Sequence, residues 1–295
     1  MKVVVTGANG MLGHKIVQVL GRSHSVLAST RSDRELLAAT GIVGKDFLVP
    51  APDIDDPEVF RLLLDTHRPD VVINCIGLIK HRDDGKDAIS NIRVNSLLPH
   101  LLAKACDDAG ARFITFSTDC VFSGDSGGYI ETDCSDARDI YGKSKHLGEV
   151  TDSNCLTLRT SIIGRELSQD RSLVEWLISN RGGAIKGFRN AIYSGLTTVA
   201  IAEIVRKIVS EHADLTGLYH LSSRPIDKYT LLSLINDIAK LGISIAPDAD
   251  FSIDRSLNSD KLSGETGISA PDWLSMVEAM VAEFEVYERW RTMSF

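Results

Sequence analysis

The sequence predicts an α/β fold with a doubly wound parallel sheet. Its first residues, Lys2–Thr6, form a β-branched apolar run, which is typical of a strand buried on both faces. A glycine-rich turn follows at once, and a helical pattern then runs through residues 16–20. Further apolar runs occur at residues 25–30, 47–49, 69–75 and 112–116, with helical patterns before the last two. Strands that alternate with helices favour parallel pairing, because each crossover helix covers one face of the sheet.

Length and composition limit the class of protein. The chain has 295 residues, of which 43% are hydrophobic and 24% are charged, enough for one large globular domain or two moderate ones. A net charge of −8 disfavours a nucleic-acid partner. No apolar run approaches the roughly 18 residues of a membrane span, so no membrane partner is expected. The five cysteines fit no zinc spacing and no signal peptide precedes the first strand, so we expect reduced thiols, no metal and a cytoplasmic protein.

The glycine-rich turn after the first strand indicates a dinucleotide-binding site. Gly7, Gly10 and Gly13 follow a Gly-x-x-Gly-x-x-Gly spacing between a strand and a helix. Glycines let the backbone approach a pyrophosphate, and the start of a helix favours its negative charge. The alternative is a plain tight turn. The candidate cofactor-binding residues of the turn are Gly7, Asn9, Gly10, Met11 and Leu12.

The end of the second strand bears on the choice of cofactor. A site for NAD usually has a carboxylate there, which binds the ribose 2′-hydroxyl. This chain has Arg31, with Arg34 close by. An arginine cannot accept a hydrogen bond from a hydroxyl but pairs well with a 2′-phosphate. We therefore favour NADP(H) over NAD(H), and the alternative is solvated loop charge.

Tyr141 and Lys145 are four residues apart, so their side chains lie on one face of a helix. An ammonium one turn away would lower the pKa of the phenol, and the pair could then move a proton to or from a carbonyl oxygen. The alternative is a tyrosine and a solvated lysine on a helix surface. Thr118 ends the strand before them, at the sheet edge where ligands bind, and its hydroxyl could orient a substrate oxygen. Its alternative role is a turn or cap.

These segments together resemble an extended short-chain dehydrogenase/reductase. Within that superfamily the chain is most similar to the dTDP-4-dehydrorhamnose reductase group of nucleotide-sugar enzymes. The resemblance rests on segments that follow one another from the first strand to about residue 165, namely residues 6–13, 53–54, 72–75, 95, 116–119, 121–122, 141–145, 148–149 and 158–161.

The resemblance implies roles for individual residues. Thr118, Tyr141 and Lys145 match the catalytic triad, and Lys145 should also hold the nicotinamide ribose. Asp53 should approach the adenine, and Asn95 matches a helix asparagine that helps to order the active site. The full cofactor set adds Ile54 beside Asp53, Cys75, Ile76 and Gly77 after the fourth strand, and Asn95, Tyr141 and Lys145.

The substrate side carries less of the family pattern. Asp119 and Cys120 follow Thr118, and Cys120 stands where the reductases usually have an aromatic residue and the nucleotide-sugar dehydratases a glutamate. A thiol cannot replace that glutamate, which argues against dehydration. Arg189 ends a basic, glycine-rich stretch that suits a sugar-nucleotide diphosphate, although a basic surface loop is an equal alternative. Arg255 resembles an arginine that faces the diphosphate in such reductases.

We therefore expect residues 1–165 to form an NAD(P)-binding, Rossmann-like domain to which residues 190–222 return. Residues 166–189 and 223–295 should form a smaller α/β substrate-binding region. The expected function is NAD(P)H-dependent reduction of a keto group on a nucleotide-linked 4-keto-6-deoxy sugar, and a homodimer is plausible by resemblance. One alternative is a nucleotide-sugar epimerase with tightly bound NAD. The other is a non-catalytic NADP-binding module, since a regulatory subunit of methionine adenosyltransferase resembles the same group.

Overall fold

The computed structural model describes residues 1–31, 34–79, 87–152, 154–167 and 172–292, without the side chains of Arg34 and Leu36. The strands are β1 Lys2–Thr6, β2 Ser25–Thr30, β3 Leu48–Pro50, β4 Val71–Asn74, β5 Arg112–Thr118, β6 Cys155–Thr160, β7 Ile162–Ile163, β8 Ala184–Tyr193, β9 Leu196–Thr197, β10 Gly217–His220, β11 Ile226–Asp227 and β12 Ser244–Asp254.

The helices are α1 Gly13–Leu20, α2 Arg34–Ala39, α3 Pro57–His67, α4 Ala88–Asn91, α5 Leu98–Asp108, α6 Ile140–Leu147, α7 Leu173–Ser179, α8 Thr198–Glu211, α9 Lys228–Ala239, α10 Asp260–Thr266, α11 Trp273–Val281 and α12 Phe284–Thr292. A π-helical segment, Ile92–Leu97, joins α4 to α5, and two 3₁₀ turns lie at Lys45–Phe47 and Asp119–Val121.

A seven-stranded sheet with every pair parallel forms the centre of the fold, in the order β10-β6-β5-β4-β1-β2-β3. The chain runs from β1 outward through β2 and β3, and then returns to build the other side from β4. The order therefore reverses between β1 and β4, and ligands of such sheets bind at that point, beyond the carboxyl ends of the strands. This confirms the predicted Rossmann-like α/β fold.

Both faces of the sheet are covered, as continuous apolar strands require. Val3 and Val5 of β1 point into one cluster, which includes Ile16 of α1 and Val205 of α8. Val4, between them, points into the opposite cluster. Burying one such side chain contributes about 1.5–3 kcal/mol, so the alternation holds helices on both faces.

The smaller lobe has its own three-stranded sheet, in the order β11-β8-β12. β12 pairs with β8 in parallel and β11 pairs with it antiparallel. The chain returns to the large sheet at β10, which pairs with β6 at the edge. The assignment of residues 166–189 and 223–295 to the substrate stays a prediction.

The C-terminal segment differs from a single helix, which the sequence pattern predicts from Trp273 to about Trp290. Two helices, α11 and α12, are separated by a turn at residues 282–283. The turn places the Glu283 carboxylate 2.7 Å from the buried Lys15 ammonium of α1. α12 thus packs against the helix that follows the glycine turn. Among the described residues, no helix has the length and apolar character needed to cross a membrane.

Candidate active site

The glycine turn is shaped by crowding of the backbone. Gly7 has a φ of +68°, and a Cβ atom there would lie 2.8 Å from the carbonyl carbon of Cys75 at the end of β4. A Cβ atom on Gly13 would collide with the Gly7 carbonyl oxygen. Any larger residue at either position would therefore displace backbone, which explains the spacing of these two glycines in terms of the turn itself.

The start of α1 fits an anionic group. In the described part of the chain, the backbone amides of Met11 and Leu12 donate no hydrogen bond. Leu12 is nonetheless buried. Amides without an acceptor at a helix N-terminus suit an anion, so a pyrophosphate here would accept their hydrogen bonds. The residues of the turn therefore fit the cofactor that the sequence predicts.

Arg31, predicted to favour NADP(H), and Asp53, predicted to approach the adenine, lie at the ends of neighbouring strands. Arg31 follows β2 and is exposed, and Asp53 follows β3 and is exposed. The Asp53 carboxylate accepts a hydrogen bond from the Asp55 amide at 2.9 Å, which fixes the loop after β3. Ile54, between them, packs on the core. The side chain of Arg34, which accompanies Arg31 in the prediction, lies outside the described part.

Asn95 orders the loop that follows β4. Its side chain is buried within the π-helical segment, a rare local geometry that often marks functional sites. Its oxygen accepts from the Leu78 amide at 2.9 Å, and its nitrogen donates to the Asn91 side chain at 3.1 Å. The loop contains Cys75 and Ile76, which are half-buried, and Gly77, which is exposed. It lies beside the catalytic candidates, since a Cβ atom on Gly77 would be 3.9 Å from the Lys145 ammonium.

Helix α6 presents Tyr141 and Lys145 toward the end of β5. The Asp139 side chain caps the helix by accepting from the Gly142 amide at 2.8 Å. The Lys145 ammonium donates to the Phe116 carbonyl at 2.6 Å. The structure therefore brings the predicted triad to one place, since Thr118 ends the same strand that carries Phe116.

The protonation of this group follows from burial. Burial raises the pKa of Tyr141, the negative forms of Cys120 and Asp119 add to the rise, and the neighbouring Thr118 hydroxyl only partly opposes it. The sequence pattern predicts a lowered phenol pKa, and the structure differs because burial dominates and the Lys145 ammonium is bound to the Phe116 carbonyl. Tyr141 is thus protonated at neutral pH and suited to donate a proton.

Lys145 remains charged at neutral pH. Burial lowers its pKa to about 8, and the nearby Glu149 carboxylate limits the shift. Burial alone would raise the Glu149 pKa, but hydrogen bonds from Arg159 and Ser117 lower it overall. Arg159 binds both Glu149 oxygens at 2.7 and 2.8 Å, and Ser117 donates to one of them at 2.6 Å. Glu149 therefore supplies a fixed negative charge near Lys145.

The predicted substrate residues are only partly brought together. Asp119 is buried and accepts a hydrogen bond from the Thr118 hydroxyl at 3.0 Å. The Arg255 guanidinium donates to the Cys120 sulfur at 3.5 Å and to the Phe122 carbonyl at 2.9 Å. Burial raises the Cys120 pKa to about 12, so its thiol is neutral.

Arg189 is placed differently from Arg255. It is exposed on β8, with its guanidinium 3.9 Å from the centre of the Tyr229 ring. Within the described residues, no hydrogen bond or ion pair joins Arg189 to the triad or to Arg255. Its substrate role stays a prediction.

Lys228 is a candidate that the sequence reasoning missed. Its ammonium lies 4.6 Å from the centre of the buried Tyr193 ring. Burial lowers the Lys228 pKa, and the nearby Asp119 carboxylate opposes this effect. Lys228 is therefore near the triad. Its local signal is weak, because it lies at the first position of α9 after the helix cap Asp227, where a charged residue is ordinary.

Among the described residues, no cluster of three or more His, Cys, Asp or Glu is arranged to hold a metal ion.

Comparison with known proteins identifies the family. Residues 1–286 match the family described as the RmlD substrate binding domain, so the chain belongs to that family. A probable low-salt glycan biosynthesis reductase of Haloferax volcanii is 29% identical over 97% of this chain and 99% of that protein. A dTDP-4-dehydrorhamnose reductase of Burkholderia thailandensis is 29% identical over 76% of this chain and 73% of that protein.

The fold agrees with solved structures. The crystal structure of a dTDP-4-dehydrorhamnose reductase from Bacillus anthracis, in complex with NADP, superimposes with a TM-score of 0.79 over 96% of this chain and 99% of that chain, at 21% identity. The family match and the Burkholderia thailandensis relative confirm the resemblance to the dTDP-4-dehydrorhamnose reductase group.

Proposed function

We propose that this member of the RmlD substrate binding domain family is an NAD(P)H-dependent reductase of a nucleotide-linked sugar. Its substrate would be a 4-keto-6-deoxy sugar, and the reaction would reduce the keto group to an alcohol. The observation that carries the proposal is the meeting of Thr118, Tyr141 and Lys145 beside the loop after β4. Relatives named as reductases that span most of the chain support it.

Each residue of the triad has a defined task in this proposal. When bound, the nicotinamide supplies the hydride. Tyr141, kept protonated by burial, gives its proton to the carbonyl oxygen of the sugar. Thr118 orients that oxygen by hydrogen bonding. Lys145, charged below a pKa of about 8, holds the ribose hydroxyls of the cofactor.

The cofactor would be held by the elements at the switch point of the sheet. Amides of Met11 and Leu12 at the start of α1 would bind the pyrophosphate. We favour NADP(H) because Arg31 stands at the end of β2 in place of a carboxylate. The NADP complex of the Bacillus anthracis reductase supports this choice.

The substrate diphosphate would lie on the cationic side of the site. Arg255 sits against Cys120, next to the triad, and Lys228 adds a second positive charge near Asp119. A neutral Cys120 thiol cannot serve as the acid–base group that a dehydratase needs, because burial raises its pKa to about 12. A reduction without dehydration fits this arrangement.

The test is turnover with a panel of nucleotide 4-keto-6-deoxy sugars, followed by NADPH and NADH absorbance. We expect NADPH oxidation by the wild type and a loss of kcat of about 100-fold or more in Tyr141→Phe, since a general acid contributes about 10²–10⁴-fold. Tyr219→Phe is the matched control, because the Tyr219 hydroxyl is bound to Glu265, away from the triad. Cofactor binding without turnover on any sugar would contradict the proposal and favour the binding module.

A further inference from the structure

A buried chain of hydrogen bonds connects the C-terminal helix to the glycine turn. The Tyr287 hydroxyl of α12 is 2.5 Å from His14 Nε2, and His14 Nδ1 is 2.7 Å from the Gly10 carbonyl oxygen. His14 is fully buried and Tyr287 is 1% exposed. The proposed triad uses neither side chain, although both are buried next to the glycine turn.

The direction of each hydrogen bond in this chain is fixed. A carbonyl oxygen can only accept, so His14 Nδ1 must carry the proton that faces Gly10. Burial lowers the His14 pKa to about 3, so the ring is neutral and its Nε2 has a lone pair. Tyr287 must therefore donate its hydroxyl proton to Nε2. With the ring neutral, no other arrangement of protons satisfies all three groups.

The chain of hydrogen bonds acts on the peptide unit between Gly10 and Met11. A trans peptide is planar, with its carbonyl and the next amide pointing in opposite directions. The Gly10 carbonyl is held on the protein side by the His14 ring and by the His14 amide at 3.1 Å. The Met11 amide must then point away from His14, out of the turn, where it donates no hydrogen bond within the described residues.

We propose that Tyr287 and His14 are positioning residues for the cofactor pyrophosphate. The Tyr287 hydroxyl donates to His14 Nε2 and anchors the ring, His14 holds the Gly10–Met11 peptide, and that peptide presents the Met11 amide to the phosphate. This inference rests on the proposed function as far as the identity of the cofactor is concerned. It makes α12 part of the cofactor site, although α12 belongs to the region that the sequence predicts for the substrate.

The docking of α12 does not depend on the Tyr287 hydroxyl alone. The Lys15–Glu283 ion pair joins α1 to the turn before α12, and the Arg165 guanidinium lies 2.5 Å from the Glu288 carboxylate of α12. Tyr287→Phe should therefore keep the helix in place and remove only the proton donor. Glu283→Gln is the matched control, because it removes one of these ion pairs and leaves the Tyr287 hydroxyl.

The experiment measures NADPH dissociation constants by fluorescence titration for wild type, Tyr287→Phe, Glu283→Gln and Tyr219→Phe. We expect binding to weaken about fivefold to tenfold in Tyr287→Phe alone, the range that the loss of one buried hydrogen bond gives. At saturating NADPH, kcat and the sugar KM should stay at the wild-type values. Glu283→Gln should lower the melting temperature while keeping the wild-type affinity.

A second readout is independent of the cofactor. In ¹⁵N-histidine spectra the wild-type His14 should show the Nδ1-protonated tautomer. Tyr287→Phe should keep this tautomer but move the Nε2 resonance downfield, because Nε2 loses its hydrogen bond, while Tyr219→Phe leaves the resonance unchanged. Unchanged NADPH affinity in folded Tyr287→Phe, or an unchanged Nε2 resonance, overturns the inference. Equal weakening in Tyr219→Phe or Glu283→Gln overturns it too, because the effect would then be one of general stability. Absence of NADPH binding by the wild type contradicts the proposed function instead, and the Nε2 resonance then decides the His14 step.

Discussion

In the proposed cofactor half of the site, backbone contacts fix the turn after β1 and the loop after β4, whereas side chains from distant elements line the proposed substrate half. Gly7 and Gly13 leave no room for a Cβ atom, and Asn95 clamps the loop through its amide. Across the site, Arg255 comes from the end of β12 and Lys228 from the start of α9. The first half tolerates few substitutions, while the second can change its side chains without changing the fold.

This difference has a chemical consequence. The cofactor is common to many enzymes, so its half is served by backbone amides whose positions follow from the turn. In the proposed function the sugar would be bound by side chains such as Arg255, whose guanidinium reaches Cys120 across more than 130 residues of sequence. Substitutions in the cofactor half should therefore change the dissociation constant of NADPH, and substitutions in the substrate half should change the KM of the sugar.

The largest expected effect is Gly13→Ala, which should disrupt the cofactor half. Its Cβ atom would lie 2.8 Å from the Gly7 carbonyl carbon and collide with the oxygen, so the turn must move. We expect NADPH binding to weaken on the order of 100-fold, equivalent to about 2.7 kcal/mol, and titration measures this.

Gly264→Ala is the control for that substitution. It lies in α10 with no heavy atom within 4 Å of the added Cβ. It should raise stability by about 0.5–1 kcal/mol because alanine is the better helix former. Wild-type affinity in Gly13→Ala would show that the turn does not hold the cofactor.

The next largest expected effect is a raised KM for the sugar on substitution of Arg255 in the proposed substrate half. Arg255→Gln should raise the KM of the nucleotide sugar about tenfold to 100-fold, since a hydrogen bond to a charged group contributes about 1.5–3 kcal/mol. The dissociation constant of NADPH should not change. Lys186→Met, on the same lobe and paired with Asp248, is the control and should have no effect on either constant.

The pH dependence of NADPH binding tests whether the cofactor half of the site depends on the charge of Lys145. Its ammonium is charged below a pKa of about 8 and neutral above it, so binding that needs the charge should weaken as the pH rises through about 8. We expect constant NADPH affinity from pH 6.5 to 7.5 and a steady loss above pH 8. Lys145→Arg keeps its charge throughout, and its affinity should stay constant with pH. A flat wild-type profile would rule out a charge-dependent role.

The smallest expected effect is a change in the preference for NADPH over NADH. Arg31→Asp should lower the preference for NADPH over NADH about tenfold, because the new carboxylate repels the 2′-phosphate and can bind the 2′-hydroxyl. Arg31 is exposed, which limits the effect. The NADH affinity serves as the internal control. An unchanged ratio would mean that Arg31 is solvated loop charge.

The parts of the site that the sequence predicts are those set by local spacing. The strand–turn–helix pattern locates Gly7 and Gly13, and the four-residue offset locates Tyr141 and Lys145 on α6. In each case, one element carries all the partners. The local sequence pattern therefore suffices to locate these residues, and tertiary packing does not change their relative positions.

The parts that escape the sequence depend on contacts between distant segments. Lys228, at the start of α9, is placed by Tyr193 of β8, whose ring lies under its ammonium. The role proposed for His14 depends on its hydrogen bond with Tyr287, which lies 273 positions away in the chain. The lowered phenol pKa expected from the Tyr–Lys pattern is wrong because burial, which spacing does not encode, raises the pKa of Tyr141.

The most direct test of the account follows the hydride. NADPH carrying deuterium at the transferred C4 position would be incubated with the protein and the nucleotide 4-keto-6-deoxy sugar found by the panel, and the product analysed by mass spectrometry. We predict one deuterium on the sugar for each NADP⁺ formed, and no label in the product of Tyr141→Phe over the same time. Conversion of the sugar without deuterium or net NADPH oxidation would contradict the account and identify an epimerase.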